Sequence, residues 1–309
     1  MIQKTSQEAT MIITQMIKDY LFDCQYRKAL DWKTIKAYRI DLRQYANFVK
    51  EQYMDRQTIS TYIAQLHEQF KPKTVKRKIA SIRAFYHYLE EENEEFDNPF
   101  HKIKVKFKEP VVLPRTIPRH EIERLLNYLY KNLGKSKRIL CDIAIVETLF
   151  ATGVRVYEIS NLRLSNINLT TGVIKIMGKG AKERYIQIVD RQILGLLRQY
   201  FRVNQNQIQK KGYFFINENG NRYSEQSIRM MLKKYVKQIG ISLHITPHMF
   251  RHSFATYLIE EGADISYVKE LLGHSSIKTT QIYIHLALNK QVEILRKLHP
   301  RNKLNILCG

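Results

Sequence analysis

The segment ITPHMFRHSFATYLIEEGAD, residues 245–264, has the most clearly bounded helix pattern in the chain. Thr246 is placed to cap the helix, Pro247 fits its first turn, and Gly262 is placed to end it. A helix with both ends marked in this way is the best-determined element that a sequence offers. It places one well-defined helix in the second half of the chain.

The same spacing of apolar residues predicts further helices on both sides of this segment. Two short strand patterns, Val173–Met177 and Tyr185–Ile188, flank the glycine-containing turn GKGAKER, residues 178–184. The first predicted helix of this half begins near Pro118. The others cover Ile139–Phe150, Arg191–Tyr200, Ser224–Gln238, Thr246–Glu260 and Asp264–Leu272. We therefore expect a mostly helical second domain that carries one small β-sheet.

The N-terminal part, from Ser6 to about Pro99, has a helical pattern throughout and almost no glycine. Its predicted helices cover roughly Ala9–Leu30, Asp31–Val49, Thr58–Gln69 and Lys73–Glu90. This pattern indicates an all-helical first domain, so the predicted fold class of the whole chain is mainly α.

Residues 98–119, NPFHKIKVKFKEPVVLPRTIPR, contain four of the seven prolines and fit neither a helix nor a buried strand. We predict a first domain at 1–100, a linker at 101–117 and a second domain at 118–309. An extended basic linker would let the two domains close around a nucleic-acid duplex, and an ordinary tether is the alternative.

The charge of the chain gives the first indication of its partner. Lys and Arg number 51 against 29 Asp and Glu, for a net charge of +22. Nucleic acid is therefore the leading partner, ahead of an acidic membrane surface or a charge that serves only solubility. No segment has the unbroken apolar stretch of a signal peptide or membrane span, so no membrane partner is expected.

The three cysteines, Cys24, Cys141 and Cys308, are far apart and form no CxxC pair. This pattern indicates neither a disulfide framework nor a zinc site. It fits a reducing cytoplasm, where we expect the protein to act.

One helix of the first domain, in KPKTVKRKIASIRAFYHYL at residues 71–89, has an apolar stripe and an opposite basic face. The basic residues are Lys73, Lys76, Arg77 and Arg83. Such a face can lie along a phosphate backbone, and an ordinary solvated surface is an equally good interpretation of this helix alone.

Two residues of the opening segment, His248 and Arg251, are neighbours on one face of the first helical turn. Free backbone N–H groups and the positive end of the helix dipole favour an anion there. The pair therefore predicts a phosphate site more than capping or packing. The neighbouring His252 is not expected to take part.

Further candidates lie in two other motifs. In FATGVRVYEISNLRLSNI, residues 150–167, a buried Arg155 could bind an anion, and Glu158 could orient it through a charge-assisted hydrogen bond. An ordinary structural ion pair is the alternative.

Further on, Gly273 ends a helix just before His274, and Tyr283 follows in another helix pattern. A phenol that attacks a phosphodiester needs such cationic and histidine neighbours, although a tyrosine in an apolar helix is more often core.

Together these motifs resemble the tyrosine recombinase (phage integrase) family, in that family's order and at its usual separations. The resemblance covers nearly the whole chain, and the motifs are jointly specific although each alone is not. Xer recombinases and simple transposon integrases are the most similar in length and layout. The motifs are LPRTIPRHEIERLL at 113–126, ATGVRVYEI at 151–159, GKGAKER at 178–184, TPHMFRHSFAT at 246–256 and LLGHSSIKTTQIYIH at 271–285.

The resemblance implies a role for each motif residue. Arg155 and Arg251 would hold the nonbridging oxygens of the scissile phosphate. His248 would accept or relay the proton of Tyr283, which would attack the phosphorus. Lys179 would protonate the leaving 5′ oxygen, with Lys182 as its rival. His274 would hydrogen-bond the phosphate.

The resemblance also implies the architecture and the partners. The first domain would be a core-type DNA-binding (SAM-like) domain and the second the catalytic domain. The partner would be double-stranded DNA with short inverted-repeat core sites, bound by a homotetramer, either alone or together with a second recombinase. A tail helix with Val292, Leu295 and Leu298 on one side would dock on the next protomer or in cis.

Because each phosphodiester bond is exchanged for another, the reaction would need no cofactor, neither a nucleotide nor a metal ion. Two other functions remain open at this point. A type IB topoisomerase shares the chemistry but acts without paired sites, and relaxation of arbitrary supercoiled DNA would reveal it. A DNA-binding protein that kept the fold and lost catalysis is the other alternative, against which the complete motif set argues.

Overall fold

The structure is a computed structural model that describes residues 2–105, 115–178 and 183–273, with side chains from residue 12 onward. The chain divides into two compact units, Met1–Val111 and Val112–Gly309. The predicted mainly α fold is confirmed, because helices dominate the described part of both units.

The first unit is a bundle of four helices with a 3-10 turn after the second and another after the fourth. The helices are α1 (Ile2–Tyr26), α2 (Trp32–Val49), α3 (Arg56–Gln69) and α4 (Pro72–Glu92). Asp31 and Asp55 cap α2 and α3, each accepting hydrogen bonds from backbone N–H groups of the first turn. Pro72 occupies the first position of α4, where no backbone N–H is needed.

The core of this unit contains a buried polar contact between α2 and α4. The Asp41 side chain is fully buried and accepts a hydrogen bond from Lys78 Nζ at 3.1 Å and from Ser81 Oγ at 3.0 Å. Arg77 also pairs with this carboxylate. Lys78 itself is only 3% exposed. Asp41 and Lys78 are buried as a pair, because either charge alone would be costly.

The second unit contains seven described helices and one two-stranded sheet. In chain order these are α5 (Arg119–Lys131), α6 (Lys137–Thr152), α7 (Val156–Ser160), β1 (Val173–Met177), β2 (Glu183–Gln187), α8 (Arg191–Lys211), α9 (Glu225–Ile239), α10 (Pro247–Glu260) and α11 (Ile265–Leu272). The strands are antiparallel, with Ile174 opposite Ile186. Helix α6 is buried along most of its length and packs against α5, α8 and α10.

The chain segment before α5 is tied to α10. Ile117 is fully buried, and its backbone N–H donates to Ser253 Oγ at 2.8 Å. The Tyr257 hydroxyl donates to the Ile117 carbonyl, and the Arg119 guanidinium lies 4.5 Å from the Tyr257 ring centroid. We call this short segment, residues 115–118, the strap.

Several sequence predictions differ in detail from the structure. Helix α1 covers Ile2–Tyr26 and not Ala9–Leu30. Helix α8 continues past Tyr200 to Lys211, because Ile208 is fully buried and Gly212, in the left-handed region, ends the helix there. Strand β2 begins at Glu183 and not at Tyr185. Thr246 is the N-cap of α10, but its side chain makes no capping hydrogen bond. Among the described helices, none is long and apolar enough to cross a bilayer.

Candidate active site

Arg251 lies at the centre of the candidate site. It is on the second turn of α10 and is 4% exposed. Its Nη1 donates to the Gly153 carbonyl at 2.9 Å, and its Nη2 donates to the Leu272 carbonyl at 2.6 Å. Because these carbonyls end α6 and α11, one guanidinium links the C-termini of two helices to α10. Helix C-termini carry partial negative charge, which suits a buried cation.

Gly153 allows α6 to end close to α10. Its φ of +58° is in the left-handed region that favours glycine. A Cβ at this position would lie 2.6 Å from Phe254 Cδ1 and 3.0 Å from Leu272 Cδ2. Both the backbone conformation and the close approach of α10 and α11 therefore require glycine. The requirement for glycine at position 153 explains the first residue of the Gly-Val-Arg sequence, in which Arg155 follows two residues later.

Arg155 is the N-cap residue of the short helix α7. Its backbone N–H donates to Glu158 Oε2 at 2.8 Å, and its Nη1 donates to Glu158 Oε1 at 2.9 Å. The expected charge-assisted hydrogen bond between Glu158 and Arg155 is thus present. The expectation that Arg155 is buried is wrong, because its side chain is 37% exposed. A cap position at the start of a one-turn helix leaves the guanidinium at the surface, where it can meet a ligand.

Glu158 binds a second arginine, Arg184 on β2. Arg184 Nη1 donates to Glu158 Oε1 at 2.9 Å and Nη2 to Oε2 at 2.7 Å, a bidentate pair. Burial alone would raise the pKa of the Glu158 carboxyl, but the hydrogen bonds and charges of Arg184 and Arg155 outweigh it and hold that pKa below its usual range. Glu158 is therefore an anion that bridges two cations.

The end of α11 brings the three arginines together. Arg184 Nε donates to the Leu271 carbonyl at 2.9 Å, and Arg155 Nη2 donates to the Gly273 carbonyl at 3.4 Å. With Arg251 on the Leu272 carbonyl, three arginines bind three consecutive carbonyls. Arg155 and Arg251 consequently bind neighbouring carbonyls at the end of α11.

His248 lies in the first turn of α10, one turn before Arg251, and is exposed. Loss of hydration among the surrounding protein atoms lowers its pKa, and the charges of Arg229, Arg251 and Arg155 lower it further. The ring is thus held in the neutral form, which can accept a proton. His252 is partly buried, and loss of hydration lowers its pKa as well, followed by its electrostatic interactions with His248 and Arg251.

The described residues therefore form a cluster of three arginines, of which Arg155 is the exposed one, with a neutral proton acceptor beside it. Arg155 and Arg251 can bind the oxygens of a phosphate, and His248 can take a proton from a nucleophile nearby. The remaining predicted site residues lie outside the described residues. They are Lys179, its rival Lys182, His274 and Tyr283; the tail residues Val292, Leu295 and Leu298 lie outside them too.

Sequence reasoning missed Arg184. It is the last residue of the motif GKGAKER, whose two lysines are the more obvious candidates. Its signal was weak, because an arginine in a short strand has many possible partners. Only the pairing of β1 with β2 and the contact of β2 with α11 bring it to Glu158 and Leu271.

The predicted DNA-contacting residues of the first unit all lie on α4, but their surroundings differ. Lys73 and Lys76 are exposed. Arg77 pairs with Asp41, as described above. Arg83 Nη2 donates to the Ile103 carbonyl at 3.1 Å, which ties α4 to the segment that leaves it. At least two of the four basic residues thus also have structural contacts.

Family models and related proteins match both units of the chain. Residues 115–290 match the model of the phage integrase family, and residues 17–93 match that of the phage integrase N-terminal SAM-like domain. A tyrosine recombinase of Agathobacter rectalis is 48% identical over 294 residues, which is 92% of this chain and 96% of the relative. The tyrosine recombinase XerD of Staphylococcus haemolyticus is 36% identical over 93% of this chain and 99% of its own length.

Solved structures share the fold. The XerA recombinase matches over 93% of this chain and 99% of its own, with a TM-score of 0.51 and 25% identity. The XerH site-specific recombinase bound to palindromic difH substrate matches over 87% of this chain and 81% of its own, with a TM-score of 0.73 and 22% identity.

Proposed function

As a member of the phage integrase family, this chain is a tyrosine site-specific recombinase, and we propose that it cleaves and rejoins DNA strands through a covalent bond to Tyr283. The observation that carries the proposal is the convergence of Arg155 and Arg251 on adjacent carbonyls at the end of α11, with His248 on the same helix as Arg251. Two fixed cations beside a neutral base are what an attacked phosphodiester needs.

Each residue has a defined part in the proposed reaction. Arg155 and Arg251 bind the nonbridging oxygens and stabilise the negative charge of the pentacoordinate transition state. His248 accepts or relays the proton that leaves the Tyr283 hydroxyl. In the remaining roles, Lys179 protonates the leaving 5′ oxygen, with Lys182 as the alternative donor, and His274 hydrogen-bonds the phosphate.

The proposed chemistry conserves the number of phosphodiester bonds. Attack by the Tyr283 oxygen breaks the bond to the 5′ oxygen and leaves a 3′-phosphotyrosyl link and a free 5′ hydroxyl. A 5′ hydroxyl from a partner strand then attacks the same phosphorus and releases the tyrosine. Because one ester replaces another at each step, the exchange requires no external energy source.

We propose double-stranded DNA with short inverted-repeat core sites as the substrate, and a homotetramer on paired sites as the acting form. The net charge of +22 supports a polyanionic partner. The lambda integrase, which shares the fold, has been solved as a tetramer bound to a Holliday junction. The alternative is a complex that also contains a second recombinase.

The two units would share the work. The first, residues 1–100 in our division, would bind the core site through the basic face of α4, and residues 118–309 would carry catalysis. The linker would be 101–117, and its last residues, 115–117, belong to the strap that contacts α10. A cytoplasmic location is part of the proposal, because the described cysteines Cys24 and Cys141 are buried free thiols.

Covalent capture tests the proposal even though the target sequence is unidentified. Wild type and the Tyr283→Phe variant would be expressed in the native host, denatured and purified, and any attached DNA sequenced. We expect wild-type adducts at one short inverted repeat and none in the variant, which lacks the nucleophilic hydroxyl.

Two outcomes would contradict the proposal. Adducts scattered over unrelated sequences would indicate topoisomerase activity. Ordinary DNA binding without an adduct in either protein would indicate a non-catalytic DNA-binding protein.

A further inference from the structure

We propose that Arg184 is a positioning residue for catalysis: it holds Glu158 so that Arg155 keeps both its orientation and its positive charge for the scissile phosphate. The inference rests on the proposed function, and it assigns a role to a residue that the phosphate need not touch. The contacts of the buried Glu158 carboxylate carry it.

The hydrogen bonds of Arg184 point into the protein. Its Nη1 and Nη2 bind the two oxygens of Glu158 at 2.9 and 2.7 Å, and its Nε binds the Leu271 carbonyl at 2.9 Å. The side chain is 11% exposed. A planar guanidinium bound at three points has one allowed orientation, so Arg184 fixes the carboxylate rigidly.

The same carboxylate sets the position of Arg155. Glu158 accepts from the Arg155 backbone N–H at 2.8 Å and from Nη1 at 2.9 Å. Four hydrogen bonds from two arginines therefore meet on one buried anion, two from Arg184 and two from Arg155. A rotation of the Glu158 side chain would break the hydrogen bonds that hold the Arg155 guanidinium in place.

The charges give a second reason for Arg184. One carboxylate between two guanidinium groups leaves a net positive charge, whereas Glu158 with Arg155 alone would form a neutral pair. A neutral pair attracts a phosphate less strongly than a cation does. Arg184 thus neutralises Glu158 and leaves the charge of Arg155 for the substrate.

The end of α11 depends on Arg184 as well. Leu271 is the first of the three consecutive carbonyls, and Arg251 and Arg155 bind the next two. A Cβ on Gly273 would lie 3.1 Å from Arg184 Cδ, so the chain turn at Gly273 leaves room for this side chain. Arg184 therefore fixes the two groups, Glu158 and the end of α11, that Arg155 contacts.

The test compares cleavage by Arg184→Ala and Arg184→Lys on the DNA site recovered by covalent capture. We expect Arg184→Ala to lower the single-turnover cleavage rate about 10- to 100-fold at saturating DNA, since small misplacements of catalytic groups have effects of that size. Arg184→Lys should recover only part of the rate, because an ammonium cannot bind both Glu158 oxygens and the Leu271 carbonyl in the same way. DNA affinity should change much less than the rate.

Arg198 offers a matched control. Its Nε donates to the Leu169 carbonyl at 2.9 Å and its Nη2 to the Thr170 carbonyl at 3.4 Å, and neither bond involves Glu158. Arg198→Ala therefore removes an arginine that binds backbone carbonyls in the same unit. Its cleavage rate should stay within about twofold of wild type, as surface changes away from a site usually do.

A neutral substrate separates positioning from a merely structural role. In a methylphosphonate at the cleaved position, a methyl group replaces a charged nonbridging oxygen, so the charge of Arg155 matters less. The defect of Arg184→Ala should then shrink, as should that of Arg155→Ala. The two substitutions together should also be no worse than Arg155→Ala alone, because Arg184 acts through Arg155.

Opposite results would overturn the inference. Equal defects of Arg184→Ala on charged and neutral substrates, or additive effects with Arg155→Ala, would assign Arg184 a structural or independent role. If wild type forms no covalent complex, the proposed function fails first. A double-mutant cycle of Glu158→Gln and Arg184→Ala, measured by urea unfolding, then tests the contact between the two residues without any DNA. Additive losses in unfolding free energy would show that Arg184 and Glu158 do not stabilise each other.

Discussion

Arg251 and Arg155 bind neighbouring backbone carbonyls, but the two arginines lie in different environments. Arg251 is 4% exposed and joins α6, α10 and α11, whereas the Arg155 side chain is 37% exposed and depends on Glu158 for its orientation. A substitution of Arg251 therefore disturbs packing together with any phosphate contact. A substitution of Arg155 reports more directly on the charge presented to a ligand.

His248 predicts the pH dependence of cleavage. Loss of hydration and the nearby arginines lower its pKa, so in the folded protein the ring stays neutral below the usual value of about 6.5. If neutral His248 takes the tyrosine proton, the single-turnover cleavage rate should fall on acidification only below that pH. A rate profile between about pH 5 and 8 measures this.

His252 is the control, because its pKa is lowered too. The acid limb should persist in His252→Gln and be lost with most of the activity in His248→Gln. A midpoint at or above the usual histidine value would contradict the assignment. The linked stability has the same sign: because the unfolded chain binds the protons more tightly, stability is present above the usual value and decreases as the pH falls toward the folded pKa.

Helices α2 and α4 depend on the buried Asp41 contact. Asp41→Asn removes the negative charge beside Lys78, which is 3% exposed, and should lower the free energy of unfolding of the first unit by about 3–5 kcal/mol. Urea titration followed by fluorescence measures this, because Trp32 is the only tryptophan of the chain.

Asp97→Asn provides the comparison for that measurement. Asp97 pairs with Arg56 at 3.3 Å, but its side chain is 80% exposed, so its loss should change the unfolding free energy by less than about 1 kcal/mol. A similarly small effect for Asp41→Asn would show that Lys78 finds another partner or water.

The elements show how far sequence alone leads. Apolar spacing with Asp31 and Gly273 at helix ends defines helices well, so most predicted elements are present with shifted ends. The sequence pattern underestimates the length of α8, because the second half of this helix is rich in Asn and Gln, and one buried Ile208 gives little periodicity.

The contacts of the candidate site were harder to predict from sequence patterns than the helices were. The local Arg155–Glu158 pair follows from a spacing of three residues, and it is present. The contacts of Arg184 with Glu158 and of Arg251 with Gly153 join residues 26 and 98 positions apart. No local pattern encodes such contacts, because they depend on how β2 and α10 pack. The exposure of Arg155 likewise depends on how its neighbours in the fold pack around the start of α7.

Salt dependence reports on the whole molecule. If Lys73 and Lys76 contact phosphates, their joint replacement by glutamine should reduce the slope of log affinity against log salt by about 2, since each contact contributes about 0.9. Fluorescence anisotropy with a labelled core site at several salt concentrations measures the slope.

Lys210→Gln with Lys211→Gln is the matched control for charge. Replacing these exposed lysines at the end of α8 removes the same charge from the second unit. The slope should change only with the α4 pair. An equal change in both proteins would show that the net charge of +22, and not the basic face of α4, governs binding.

The strap has a consequence for protein engineering. Ile117 contacts α10 through Ser253 and Tyr257, and Arg119 stacks on the same tyrosine, so the second unit has its own N-terminal anchor. A chimaera that joins a foreign targeting module before Arg115 keeps this anchor on the helix that carries Arg251. A junction after Arg119 discards it and leaves Ser253 and a tyrosine without the backbone that they bind. A transferable second unit therefore has to begin several residues before its first helix, α5.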